Sequence, residues 1–280
     1  MTCVGATCVE AICVDAIGQQ HIPVLPSEAR IVSLVPSLTE LVYALGLGAQ
    51  LVARTGFCIH PQALVKTVPK IGGTKDVNID KIRKLGATHV LVNIDENEKP
   101  TVEKLAEFVP NIIVTHPCNA LDNLPLYRLL GEIFSVPQAA AQLCQQFEVA
   151  YAALQERVKA QPAGKKVLYC IWQDPWMTIG TDTYLANMLA LINWQAWQPS
   201  TSSALPRYPC FDWQDARMDE VDLILLSSEP YRFTQSHVAQ LAAQTGKPVQ
   251  LVDGEMLSWF GSRAIAGLDY LQQLCKSSPA

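Results

Sequence analysis

Arg30-Ile-Val-Ser-Leu-Val-Pro-Ser-Leu-Thr-Glu-Leu41 reads as a buried strand, a Pro-Ser turn and the start of an amphipathic helix. Lys166-Val-Leu-Tyr-Cys-Ile171 repeats the strand and leads through a polar loop into another helix. The echo continues further along. Asn78 to Asn93 is a helix running into the strand His89–Asn93, and Asp212 to Leu226 reads as the same pair, with its helix over 212–219. Ile31 and Val167 lie 136 residues apart, Val90 and Leu223 133, and Ile112 and Val249 137. Near-constant spacing over three strands predicts two copies of one unit. Strands alternating with helices predict a parallel sheet with right-handed crossovers in each.

Between the copies the chain runs from Pro137 to about Gln161 without a Gly or a further Pro. Leu143, Phe147, Tyr151, Leu154 and Val158 fall three or four apart and make one apolar stripe. About 24 helical residues at 1.5 Å each span roughly 36 Å. The expected fold is α/β: two Rossmann-like lobes joined by a single long backbone helix, with a ligand cleft between the lobes, where small ligands usually bind. The expected boundaries are an extension over 1–28, an N-terminal lobe over 29–120, a helical connector over 121–163 and a C-terminal lobe over 164–280. Ser37 and Glu40 have the spacing of a capping box at the first helix start.

Composition narrows the function. With 49% hydrophobic and 17% charged residues in 280, the chain has the make-up of a packed globular protein. A net charge of −5 without a Lys/Arg cluster argues against a nucleic-acid partner. No run of 18 apolar residues suggests a membrane span. The nine cysteines include no C-x-x-C pair, and most sit in apolar surroundings, as small buried hydrophobes do. Cys3, Cys8 and Cys13 open a five-residue repeat that matches neither the helix nor the strand period. Residues 1–28 are therefore expected to be a poorly ordered extension, with a metal-binding tail as the sharper alternative. The first residues hold no Lys or Arg and carry Glu10 and Asp15, unlike a signal peptide. A cytoplasmic location is expected for the chain as written, with the periplasm as the alternative if the true start differs.

The order of Arg30–Leu41, Asn78–Val92 and the long helix from Pro137 resembles the helical-backbone metal receptor (TroA-like) superfamily. Its members are substrate-binding proteins of ABC importers for vitamin B12, iron–siderophores and haem. The resemblance covers about residues 30–275 and is strongest to the cobalamin-binding branch. It implies a non-enzymatic binding protein for cobalamin or a related corrinoid, with haem or a ferric siderophore as alternative ligand. It also implies an ABC permease as partner, for which Asp80 and Asp215, at comparable places on the paired helices, are docking candidates. No cofactor is required by this reading.

In open α/β sheets ligands sit beyond the carboxyl ends of the strands. That rule selects Ser37, Phe57, Cys58, His60, Gly73, Thr74 and Lys75 from the first copy. From the second it selects Trp172, Trp176, Tyr231, Phe233, Glu255, Trp259 and Arg263. A large flat ligand needs aromatic faces with a few polar groups at its rim. The competing reading is that these rings only pack loops together. His60 is a candidate axial ligand for a corrinoid cobalt or a haem iron, since imidazole suits both. A cytoplasmic enzyme with Cys58 as nucleophile and His60 as base is the alternative from another class. Arg54, Lys75, Arg207, Arg232 and Arg263 are candidates to meet anionic ligand groups, with nearby carboxylates as competing partners.

Overall fold

The computed structural model describes residues 13–159, 164–200 and 206–277. Cys3 and Cys8 of the repeat, the expected end of the long helix at Pro162, and residues 201–205 of the loop over 194–212 lie outside the described residues.

The chain forms two compact units. The first comprises Met1–His116 with Leu124–Cys144, and the second Pro117–Asn123 with Gln145–Ala280. In the first, a two-residue hairpin of β1 (Cys13–Val14) and β2 (Gln20–His21) precedes a four-stranded sheet. That sheet comprises β3 (Ile31–Ser33), β4 (Leu51–Arg54), β5 (His89–Asn93) and β6 (Asn111–Thr115), all parallel, in the order β4-β3-β5-β6. Helices α1 (Pro36–Ala44), α2 (Gln62–Val65), α3 (Ile79–Lys84), α4 (Lys99–Ala106) and most of α5 (Asn123–Ile133) belong with it.

The second unit repeats this plan. Its strands β7 (Lys166–Cys170), β8 (Gln195–Ala196), β9 (Leu223–Ser227) and β10 (Val249–Val252) are parallel in the order β8-β7-β9-β10. Counted within each unit, both sheets run second, first, third, fourth. The duplication read from the spacing of Ile31 and Val167 is therefore a duplication of topology. Helices α7 (Tyr184–Ala190), α8 (Gln235–Thr245), α9 (Gly254–Ser258) and α10 (Arg263–Ser277) complete this unit. The connector expected over 121–163 is shared out. The helix α6 (Pro137–Val158) begins in the first unit and ends in the second, passing over at Cys144 and Gln145.

The local sequence explains these elements. β5 and β9 are buried at every residue, as strands covered on both faces of a parallel sheet must be, and both are near-continuous apolar runs. Val32, Val90, Val92, Ile82 and Leu105 form one core, and Leu168, Ile224, Leu226, Trp197 and Leu241 the other. Asn78 caps α3 by accepting from the Lys81 amide, and Thr183 caps α7 by accepting from Ala186. Gly246 ends α8 at φ 67°, the left-handed conformation that glycine adopts without strain.

Three expectations are corrected. The capping box at Ser37 does not form, because α1 starts at Pro36, two residues before the start a Ser37 cap requires, with no side chain capping it. The helix expected over 212–219 is a pair of turns closed by a short 3₁₀ segment at Met218–Glu220. There Asp212 and Asp215 bond the nearby amides of Gln214 and Arg217 instead.

The third concerns the extension over 1–28. From Cys13 onward it is part of the fold, and the reason is Asp15. Its Oδ1 accepts from the Ile17 and Gln19 amides at 3.1 and 2.9 Å. Its Oδ2 takes the Val114 amide of β6 at 3.0 Å and faces His21 Nε2 at 3.2 Å. The Ala16 amide donates to the Val114 carbonyl, so the hairpin closes part of the edge of the sheet. In the second unit Asn123, fully buried, receives the Gly261 amide on its Oδ1 and donates through Nδ2 to the Tyr184 hydroxyl.

Candidate functional site

In the first unit two loops beyond the strand ends are tied to each other. The Gly56 amide donates to the Gly72 carbonyl at 2.7 Å, and the Gly73 amide to that of Asp76 at 2.8 Å. Gly72 has φ 103° and its missing Cβ would strike the Asp76 carbonyl, so only glycine serves there. A Cβ on Gly73 would stand 3.3 Å from the Phe57 ring. Phe57 and Gly73 are thus brought together, and the Phe57 side of this ledge is open, the residue being 63% exposed. Thr74 gives its carbonyl to Asn97 Nδ2, and Lys75 is exposed.

Cys58 does not share that exposure. It is wholly buried, its Sγ is 3.1 Å from Thr55 Oγ1, and burial pushes its thiol pKa up, against smaller opposing effects of the Thr39 and Thr55 hydroxyls. A thiol held protonated in apolar surroundings is a poor nucleophile, so the pairing of Cys58 with His60 for catalysis finds no support in the geometry. His60 is half-buried two residues on. Among the described residues no three His, Cys, Asp or Glu side chains gather to hold a metal. An axial role for His60 toward a metal carried by the ligand needs one donor only. Arg54 is likewise taken inside, donating to the Val65 and Thr55 carbonyls.

In the second unit the predicted rings divide. Trp172 is 39% exposed and stands edge-on to Tyr231 at 5.6 Å. It is fixed by a short turn in which Ile171 and Met177 donate to each other's neighbourhood: Ile171 N to Met177 O, and Met177 N to Trp172 O. Trp176 and Phe233 behave otherwise. They stack at 5.8 Å with 9° between planes, and Trp213 and Phe211 close round Trp176. Phe233 is a core residue, with Trp176 packed against the same cluster. For these two rings the structure shows packing.

Trp259 is corrected in the same way. It is buried, its Nε1 donates to Glu229 Oε1 at 2.6 Å, and the Arg263 guanidinium lies over its ring at 4.7 Å. Arg263 is paired with Glu255 at 2.9 Å. Arg207 is paired with Asp182. Glu229 is the acceptor at the centre of this group. Ser258 Oγ also donates to it, and Gly254 leaves room for its side chain where a Cβ would collide. Burial raises the Glu229 pKa, the donors from Ser258 and Trp259 oppose this, and Glu255 and Asp253 add to it. The only sequence signal for it is its place two residues beyond β9.

A groove of about 630 Å³ lies in the first unit between the hairpin, α4 and β6, and none of the predicted site residues lines it. Asp80 is exposed in the first turn of α3. Asp215 accepts from Ser200 and from the Arg217 amide. Burial acts to raise its pKa, but these donors outweigh it and hold the carboxyl below its ordinary value. No described helix is long and apolar enough to cross a membrane.

Known proteins resemble this chain over most of its length. The periplasmic binding protein family matches residues 31–244. The vitamin B12-binding protein of Yersinia pestis (strain Pestoides F) is 25% identical over 259 residues, covering 90% of this chain and 88% of its own. The ABC transporter substrate-binding lipoprotein YvrC of Bacillus subtilis, itself uncharacterized, is 27% identical over 180 residues. That match takes in 62% of this chain and 57% of the lipoprotein, so the chain spans little more than half of that relative.

Among solved structures, the haem-binding protein RhuT of Roseiflexus sp. RS-1 superposes with TM-score 0.75 at 20% identity, covering 88% of this chain and 97% of its own. BtuF of Vibrio cholerae, a periplasmic vitamin B12 binding protein, gives 0.73 at 18%, covering 89% and 98%. At such identities the structural likeness establishes the fold. The expectation of a cytoplasmic location is overturned by these findings: the matched family is one of periplasmic binding proteins, and the sequence relatives include a lipoprotein. They support the periplasmic alternative.

Proposed function

We propose that this chain, which belongs to the periplasmic binding protein family, captures cobalamin or a related corrinoid through loops at the carboxyl ends of its two parallel sheets and delivers it to an ABC permease. The observation that carries the reading is the pair of exposed rings, Phe57 and Trp172, each beyond a strand end and each braced, one by Gly73 and one by Tyr231. An aromatic ring exposed beyond a strand end offers an apolar face to a flat, amide-rimmed macrocycle. The relatives that match 90% of the chain are vitamin B12-binding proteins, which supports the same ligand class.

In this reading Phe57 and Trp172 supply apolar faces. Thr74, Lys75 and Tyr231 supply the polar rim, and His60 is a candidate axial ligand for a corrinoid cobalt, with His116 as the second. Trp176, Phe233, Glu255, Trp259 and Arg263 hold the loops in place. The protein performs no turnover. Asp80 and Asp215 are the docking candidates for the permease, with the Asp215 charge secured by its donors.

Calorimetric titration with cobalamin, hemin and a ferric siderophore tests the ligand. Cobalamin is expected to bind tightest, with Phe57→Ala and Trp172→Ala each weakening it about tenfold, or about 1.4 kcal/mol. No heat and no absorbance change with cobalamin would remove the reading, and binding of hemin or the siderophore alone would reassign the cargo.

A further inference from the structure

The fourth strand of each sheet lies at an edge, and the chain treats the two edges differently. In the first unit the Asp15 carboxylate takes the Val114 amide of β6, and the Ala16 amide donates to the Val114 carbonyl. Among the described residues nothing does this for β10. The Ile224 amide donates to the Pro248 carbonyl and the Ser228 amide to the Val252 carbonyl, so Pro248, Gln250 and Val252 turn their backbone groups toward β9. Val249 and Leu251 therefore turn theirs outward, and among the described residues these groups have no partner. The open stretch is closed off at both ends. The Lys247 amide donates to Thr245 Oγ1 at 3.3 Å, and the Asp253 amide to the Tyr270 hydroxyl at 3.0 Å. The usual protections of an edge are missing: Val249–Val252 carries no charge and no proline, its register with β9 is unbroken, and Leu251 is 37% exposed. The helix packed over this strand, α8, holds no Asp, Glu, Lys or Arg in 11 residues, although Ala239, Gln240, Ala243 and Gln244 are exposed. Surface helices normally carry charge on their outer face, and interface cores are depleted of it.

We infer that β10 pairs antiparallel with β10 of a second copy of this chain, about a twofold axis at Gln250, so that two C-terminal sheets become one. This centre sets Val249 opposite Leu251 of the second copy, where each amide meets the other's carbonyl, and uses every open group on both edges. A shift of one residue sets outward groups against inward ones. A shift of two sets Leu251 against Lys247, or Val249 against Asp253, whose amides are already taken. The same register places Lys247 opposite Asp253 of the second copy, which matches opposite charges on either side of the axis. The exposed Leu251 side chain, on the same face as Val249, gains an apolar cross-strand neighbour. α8 sits over both β9 and β10, since Val238 and Leu241 pack with Ile224, Leu226 and Val249. With strands about 4.8 Å apart, the two copies of α8 then lie about 10 Å apart, the spacing of packed helices. This inference is independent of the ligand reading.

The full chain is followed by sedimentation velocity over a concentration series, with Leu251→Pro beside it. A dimer forming in the micromolar range is expected, as for an interface at the small end of the scale. Leu251→Pro removes an outward N–H that β9 does not use, and proline is tolerated on an edge strand, so its monomer should keep its circular dichroism and dimerise at least tenfold more weakly. The register is read separately in Gln250→Cys. A pair across the axis that exchanges no hydrogen bonds has its Cα atoms about 4.5 Å apart, within reach of a disulfide. Oxidation in air with copper–phenanthroline should therefore give a peptide joined through position 250, identified by mass spectrometry. A monomer at every concentration overturns the pairing and leaves the edge to a strand from another protein. A dimer that Leu251→Pro leaves unchanged overturns it too. If Leu251→Pro does not fold, the cross-link decides: a peptide joined through position 250 supports the pairing, and its absence overturns it.

Discussion

Replacing Asp15 should separate two jobs done by one carboxylate. Its Oδ1 closes the hairpin on the Ile17 and Gln19 amides, while its Oδ2 holds the Val114 amide of β6 and His21. Asp15→Asn keeps an oxygen for the turn but sets an NH₂ group against the buried Val114 N–H. A hydrogen bond to a charged group is worth about 1.5–3 kcal/mol, and a buried orphan amide costs about 1–3 kcal/mol, so a loss of about 2 kcal/mol is expected. Asp15→Ala removes the turn closure as well and leaves His21 buried without its partner. Breaking a buried pair from one side costs about 3–5 kcal/mol. The assay is urea unfolding followed by two signals. All six tryptophans lie between Trp172 and Trp259, so their fluorescence reports the second unit, whereas far-UV circular dichroism reports both. The dichroism transition should move to lower urea in the order wild type, Asn, Ala. A change below about 1 kcal/mol for Asp15→Ala, or an Asn variant no better than Ala, would refute the division of labour between the two oxygens.

Other outcomes follow from the same reasoning. Burial, with a smaller push from His21, lowers the His89 pKa from 6.5 to about 4. The unfolded chain therefore binds a proton near pH 6.5 that the folded one refuses until about 4. Stability is full above the former and falls through that window, at up to about 1.4 kcal/mol per pH unit, and His89→Phe should flatten the profile measured by urea titration at several pH values. Trp176→Ala, which removes a partly buried ring stacked on the core residue Phe233, should cost about 2–3 kcal/mol in the tryptophan-reported transition. Cys58 should resist a thiol reagent in the native protein while the exposed Cys210 reacts at once, and Cys58→Ala should bind ligand as the wild type does; rapid native labelling of Cys58 counts against its assigned burial.

The larger architecture was legible because it rests on long signals. Val90 to Asn93 and Leu223 to Leu226 are apolar at nearly every position, which a doubly covered parallel strand demands, and Pro137 to Val158 carries an unbroken helical stripe. Short elements escaped. β8 has two residues and α2 four, too few for any period to declare itself. The helix expected over 212–219 failed because Asp212 and Asp215 compete for nearby amides, which a hydrophobic pattern does not register.

The site was half legible for a similar reason. Position beyond a strand end found Phe57 and Trp172, but it could not tell them from Phe233 and Trp259, whose fate depends on residues distant in sequence such as Trp176 and Glu229. The fold of residues 13–21 was hidden because its anchor, Val114, lies 99 positions away from Asp15.

Asn123 carries one last implication. It stands in the first half of the chain, yet its amide group seats Tyr184, 61 residues on, and Gly261, 138 residues on, so the C-terminal body has an internal strut made well before the parts it supports. A fragment beginning at Gln145 would keep every strand of its sheet and still lack that strut. During synthesis, then, the later body completes this contact on a side chain that left the ribosome well before Tyr184 and Gly261 were added.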